Sequence, residues 1–193
     1  MTHASVIKPR QVMMLWTNKK QPFNEEKWRS ALKIMEAAIE SNSSNAQNYF
    51  DLARLYEWKA YQKPIWNSVS ITNRSKAIFY YKKSLEHRPT WSSAWINLAM
   101  SKTLNMEFGD EAKSALSNAI TYGAWESGVF NKIVWLSLAN WDGLPSDIQK
   151  QVKSLIRKTM DKKGRVPLFV IDTAKHFNWT EELQEVIKSS PKL

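Results

Sequence analysis

Cysteine is absent from the 193 residues. That removes disulfides, thiolate metal sites and cysteine nucleophiles. It does not choose between a reducing and an oxidising compartment. Glycine is scarce, with five in the chain, and β-branched runs are few. A sheet-rich fold with many tight turns is therefore not expected. No stretch approaches the roughly 18 apolar residues of a membrane span. The opening MTHASVIKPRQVMMLW lacks a charged start followed by a long apolar run, so it does not read as a signal peptide. Any leader or membrane anchor is expected outside this chain.

Catalytic motifs are missing as well. There is no Gly-rich phosphate loop, no HExxH, no Gly-x-Ser-x-Gly and no kinase set. The histidines are His3, His87 and His176, and no two share a helix at ligand spacing. Carboxylate pairs occur at Glu25-Glu26, Asp110-Glu111 and Glu181-Glu182. Each stands at an expected helix start, where acids favour the macrodipole. No catalytic or metal-ligating residue is assigned, no cofactor is implied, and the chain does not read as an enzyme.

What is present is a helical period almost throughout. In EKWRSALKIMEAAIE, Trp28, Ala31, Leu32, Met35, Ala38 and Ile39 recur at spacings of three and four. SNSSN at 41–45 breaks the pattern and offers N-caps. Further helices are expected in NYFDLARLYEWKAY, in RSKAIFYYKKSLEHRP, and on through TWSSAWINLAMSKTLNM, EAKSALSNAITYG and AWESGVFNKIVWLSLANW. SDIQKQVKSLIRKTM follows, with Gly164 as its stop, and the tail divides into two short helices with a break near Asn178. About nine amphipathic helices result.

The row has an internal period. From Tyr49 the chain reads Tyr49, Leu52-Ala53, Tyr56, and then Ala77, Tyr81, Ser84-Leu85 and Pro89. From Trp95 it reads Trp95, Leu98-Ala99, Ala112, Leu116 and Ala119-Ile120, with Lys102 where a second aromatic belongs. Thr90 to Gly123 spans 34 residues, the length of a tetratricopeptide unit. Ala31, Met35 and Ala38-Ile39 match the second helix of an earlier unit, whose first helix near Val12–Trp16 fits poorly. Small residues let paired helices approach, large ones fill the space beside them, and pairs stack because none buries its face alone. The expected fold is all-α: a tetratricopeptide-like right-handed solenoid of about nine helices in antiparallel pairs. The repeats occupy 23–123, with an insertion at about 58–72. An N-terminal segment, 1–22, precedes them, and 124–193 extend the solenoid.

In such arrays the first helix of each pair lines the concave groove. By position this places Gln47, Phe50, Arg54, Glu57 and Trp58 there, followed by Ser93, Ile96, Met100, Thr103 and Leu104. The mixture suits a peptide or protein segment better than a phosphate backbone. Ten tryptophans raise the question of stacking platforms. Trp28, Trp95 and Trp135 lie on apolar faces and read as core. Trp58 and Trp66, beside the insertion, and Trp91, Trp125 and Trp141, at helix ends, are candidates for contact surface. The net charge of +10 permits an acidic partner, but the basic residues are scattered and read first as a solvated surface. The scatter, and the lack of an RNP motif, point away from nucleic acid.

Two stretches go beyond the general repeat. AIFYYKKSLEHRPTWSSAWINLAMSKTLN carries Pro-Thr and then Trp-x-Asn-Leu-Ala-x-x-Lys. AITYGAWESGVFNKIVWLSLANWDGLP carries Gly123, Trp125 and Glu126, then Trp141, Leu144 and Pro145. Over about residues 75–150 this resembles the VpsP-type proteins of bacterial exopolysaccharide gene clusters, which are small, often membrane-anchored, tetratricopeptide-like proteins. The departure is the N-terminus, where no anchor is seen. The resemblance implies a non-enzymatic adaptor in making or exporting a surface polysaccharide. It would work at the periplasmic face of the inner membrane, with cytoplasm left open as the alternative. Its partner would be a protein of the polymerase or export machinery, or the glycan itself, an acidic polysaccharide suiting the charge. A direct glycan-binding module using the peripheral tryptophans is the competing reading, beside a general protein-interaction domain.

Overall fold

Asparagine caps open several of the helices. Asn24 accepts the Lys27 N–H at 2.8 Å, Asn45 that of Gln47 at 3.0 Å, and Asn67 that of Val69 at 2.9 Å. The computed structural model describes residues 7–160 and 165–188, and among them lie ten α-helices. They are α1 (Ile7–Thr17), α2 (Glu25–Ser41), α3 (Ala46–Ala60), α4 (Ser68–His87), α5 (Ser92–Leu104), α6 (Asp110–Gly123), α7 (Ser127–Ala139), α8 (Ser146–Met160), α9 (Arg165–His176) and α10 (Thr180–Lys188). A 3-10 turn, Trp141–Gly143, separates α7 from α8. The additional helix is α1, which packs on α2 and buries Met13 and Trp16. All three carboxylate pairs stand in first turns, of α2, α6 and α10.

The array is a tetratricopeptide-like solenoid. Contact is densest within the pairs α3–α4 and α5–α6, and α5–α7 and α7–α9 then join first helices of successive pairs. The small residues of the repeat, Ala53, Ala77, Ala99 and Ala112, are all 0% exposed. Tyr81 and Leu116 are buried beside them, and Trp95 is half-buried with its indole N–H on the Pro89 carbonyl at 2.7 Å. Lys102, in the second aromatic position, is buried too. Its ammonium lies 2.9 Å from both Glu107 and Glu111, and Lys82 reaches Glu111 at 2.6 Å. An ion network thus fills the place of a ring.

Three first helices end without glycine. Lys19, Met106 and Asn178, after α1, α5 and α9, adopt φ of 53°, 61° and 55°. The next residue's N–H returns to a carbonyl five positions back in each case, as in Glu107 to Lys102 at 2.9 Å and Trp179 to Ala174 at 2.8 Å. The break expected near Asn178 is this cap.

One expectation needs correction. Helix α4 starts at Ser68, six residues before the expected Arg74, so the stretch 58–72 comprises the end of α3, a loop at 61–67 and the opening of α4. Ser70 Oγ donates to the Ala60 carbonyl at 2.8 Å, and Arg74 to that of Ile65, which ties the early start to the end of α3. The helix stop assigned to Gly164 lies outside the described residues.

Candidate functional site

Three polar contacts run from one first helix to the next. Arg10 Nε on α1 donates to Asp51 Oδ2 on α3 at 2.5 Å. Ser101 Oγ on α5 donates to Glu57 Oε1 on α3 at 2.7 Å. Lys132 Nζ on α7 donates to Asn97 Oδ1 on α5. Together they mark the floor of the concave face. Short loops alternate between two edges of such an array, so first helices lie side by side and their polar side chains meet across the groove.

Glu57 is the hub. Its second oxygen accepts the Tyr81 hydroxyl at 2.6 Å, so both carboxylate oxygens are engaged by hydroxyl donors. Burial first, and then the Glu57 charge, push the Tyr81 phenol well above its usual pKa. Tyr61 rises as well, here mainly because of the Glu57 charge, although half of its surface is open. Lys132 is exposed at the surface, yet the surrounding walls desolvate its ammonium and lower its pKa. Asp51 is buried deeper; desolvation raises its pKa despite Arg10, and Gln47 Nε2 donates to its Oδ1 at 3.0 Å.

Arg54 lies half-buried between these groups, with no ion pair or hydrogen bond among the described residues. The floor therefore holds three cations, Arg10, Arg54 and Lys132, against two carboxylates, Asp51 and Glu57. Lys132, Asn97 and Ser101 were not identified from the sequence. A lysine on an apolar helix at 127–139 was the available signal.

The remaining candidates separate. Gln47, Arg54 and Glu57 come together as described. Phe50 does not reach the groove surface: it is 8% exposed, stacked on Trp91 at 4.3 Å and edge-on to Tyr81 at 5.6 Å. Ile96 is buried likewise, and Met100 is half-buried. Trp58 is half-buried, edge-on to Trp16 at 5.6 Å. Trp91 carries the Arg88 guanidinium 4.6 Å from its ring centre. Trp66 and Trp125 are open, at 75% and 77% exposure. They stand on opposite edges of the array, because the α3–α4 loop and the α6–α7 turn emerge at opposite helix ends. Trp141 shares the Trp66 edge, edge-on to Trp179 at 4.9 Å. One ligand surface cannot use them all.

Gly123 and Glu126 are packing residues. A Cβ on Gly123 would lie 2.3 Å from Ser92 Cβ, and Ser92 Oγ donates to Glu126 Oε1 at 2.7 Å. Leu144 is buried as well. Among the described residues no cluster of acids and histidines could hold a metal ion, and no helix is long and apolar enough to cross a membrane.

No family model matches the chain, and no curated protein matches it in sequence. Among solved structures, the crystal structure of the MamA protein is similar in backbone, with a TM-score of 0.55 at 14% identity, covering 97% of this chain and 90% of that one. MamA is itself tetratricopeptide-like, and the likeness supports the helical solenoid described above.

Proposed function

We propose that the chain is a non-enzymatic adaptor that binds an extended protein segment in its concave groove, with an acidic side chain of that segment seated between Arg54 and Lys132. The observation that carries this reading is the excess of positive charge on the floor, where Arg10, Arg54 and Lys132 face Asp51 and Glu57. Among the described residues Arg54 has no ion pair, Lys132 bonds a neutral amide, and each Glu57 oxygen accepts from a hydroxyl. A partly desolvated cation gains more from an anionic ligand than a solvated surface lysine does. The solenoid supplies a long concave surface, the usual asset of repeat arrays. The test is a pull-down from cells with Arg54→Glu and Lys132→Glu. Loss of the same protein partner in both variants, with helicity unchanged, supports the reading; retention of every partner refutes it.

The setting we propose is assembly or export of a bacterial exopolysaccharide at the periplasmic face of the inner membrane. Its support is the likeness of Gly123, Trp125, Glu126, Trp141, Leu144 and Pro145 to the VpsP-type pattern. Most of these residues have packing roles here, so the support rests on Trp125 and Pro145 more than on the rest. A second reading, direct contact with an acidic glycan, is favoured by the two open indoles at Trp66 and Trp125. Because they face opposite edges, single Trp66→Ala and Trp125→Ala variants should not both weaken binding of one glycan chain.

A further inference from the structure

We propose that the cleft between the 3-10 turn after α7 and the α9–α10 turn binds an organic ammonium or guanidinium group. The cleft has a volume of about 460 Å³, within the ordinary range for ligand sites. Phe108, Trp141 and Phe177 are among the residues that line it, and its polar lining residues include Asp142, Glu182 and Asn178. Among the described residues no lysine, arginine or histidine lines it, in a chain of net charge +10.

Neither carboxylate is in an ion pair among the described residues. The two carboxylates only accept hydrogen bonds and suit a ligand rich in donors, as ammonium and guanidinium groups are, while the buried Trp179 indole N–H, which has no partner among the described residues, adds one donor to the lining. The rings add a second attraction. Lys153 Nζ rests 5.6 Å from the Trp141 ring centre and Lys113 Nζ 5.9 Å from that of Phe108. Both rings thus already attract ammonium groups, as the aromatic quadrupole favours. No group of three or more acids and histidines suited to a metal ion occurs among the described residues, so the geometry favours an organic cation over a bare metal.

The walls are held rigidly. Trp141 is fixed edge-on to Trp179 at 4.9 Å, and its carbonyl accepts from Gln149 Nε2 at 2.9 Å. Phe177 is edge-on to Trp135 at 5.4 Å. The cleft lies at the edge carrying the turns within pairs, apart from the groove floor, so it stands independently of the adaptor reading.

The test is an NMR titration of the full chain with Nα-acetyl-lysine methylamide, its neutral norleucine analogue, n-butylamine and glucose. The lysine derivative is expected to shift the Trp141 indole and Asn178 amide signals, and the norleucine analogue to leave them unchanged. Asp142→Asn and Glu182→Gln should each weaken binding about tenfold without altering the fold, and added salt should weaken it further. Equal binding of lysine derivative and butylamine identifies a free amine as a sufficient ligand. Tighter binding of the lysine derivative identifies a polypeptide side chain as the better source. The proposal is overturned if the norleucine analogue binds equally, if only glucose binds, or if neither carboxylate variant changes the lysine titration.

Discussion

Replacing Gly123 with alanine is the sharpest perturbation of the packing between repeats. The new methyl would sit 2.3 Å from Ser92 Cβ, 2.4 Å from Ser92 Oγ and 2.7 Å from Glu126 Oε1. Apolar carbon atoms rest at about 3.5–4 Å, so the end of α6 must move by more than an ångström or Ser92 must. Ser92 is 2% exposed and opens α5, so neither shift is free. Overpacking of this kind costs about 1–3 kcal/mol. Alanine's better helix propensity offsets at most ~1 kcal/mol, and less at a terminal residue. Each net kcal/mol lowers Tm by roughly 2–4 °C in a chain of this size. Urea unfolding of Gly123→Ala, Ser92→Gly and the double variant forms a cycle. Ser92→Gly alone loses its bond to Glu126 and destabilises; in the alanine background it also relieves the clash. The double variant is therefore expected to be more stable than the sum of the single losses. An additive cycle, or a Gly123→Ala protein as stable as its parent, would refute the close-approach argument.

Met106→Gly should stabilise by about 1 kcal/mol in chemical denaturation, because the residue holds φ 61° with 79% of its surface exposed and little packing to lose. Glu57→Ala should cost about 1–3 kcal/mol, since it leaves the fully buried Tyr81 hydroxyl without its acceptor; Glu57→Gln, which keeps one acceptor, should cost less in the same assay. The acid limb of stability should depend on Lys102. Hydrogen bonds from Lys102 to Glu107, and from Lys82 and then Lys102 to Glu111, hold both carboxyls below the ordinary 4.5. Their contribution is complete above that value and is lost as pH falls through the lowered values. Lys102→Met should flatten that part of a Tm-against-pH profile, and an unchanged acid limb would contradict the network.

The repeat could be read because its evidence is local: alanines at 53, 77, 99 and 112 recur where helices meet, and each is sealed in the structure. Lys102 was visible as a departure, but its meaning depended on Glu107 and Glu111 folding back within reach, which no period encodes. The caps at Lys19, Met106 and Asn178 escaped the sequence for another reason. A left-handed cap is legible when glycine supplies it, and here larger residues do. The start of α4 was missed because SVSITN is polar and follows a proline; Ser70 and Arg74 bind carbonyls that only the folded loop presents.

The groove divides in the same way. Repeat position placed Gln47, Arg54 and Glu57 correctly on the first helix of the pair. The same rule failed for Phe50, because Trp91, from the next turn of the array, stacks over it. Asn97, Ser101 and Lys132 complete the floor through contacts 35 and 44 residues apart in sequence. Such pairings carry no sequence signature until helices are set side by side.

The most direct test of the adaptor account uses a short, fluorescein-labelled oligoglutamate peptide with an amidated end. Its anisotropy is measured against the full chain and against the Arg54→Ser, Lys132→Met double variant at low and moderate salt. Loss of two charge-assisted contacts, each worth roughly 1.5–3 kcal/mol, predicts at least about a hundredfold weaker binding. The account predicts that this loss occurs while Lys19→Ser, a charge removal outside the groove, leaves binding within about twofold. Equal binding by the double variant, or equal weakening by Lys19→Ser, would contradict it.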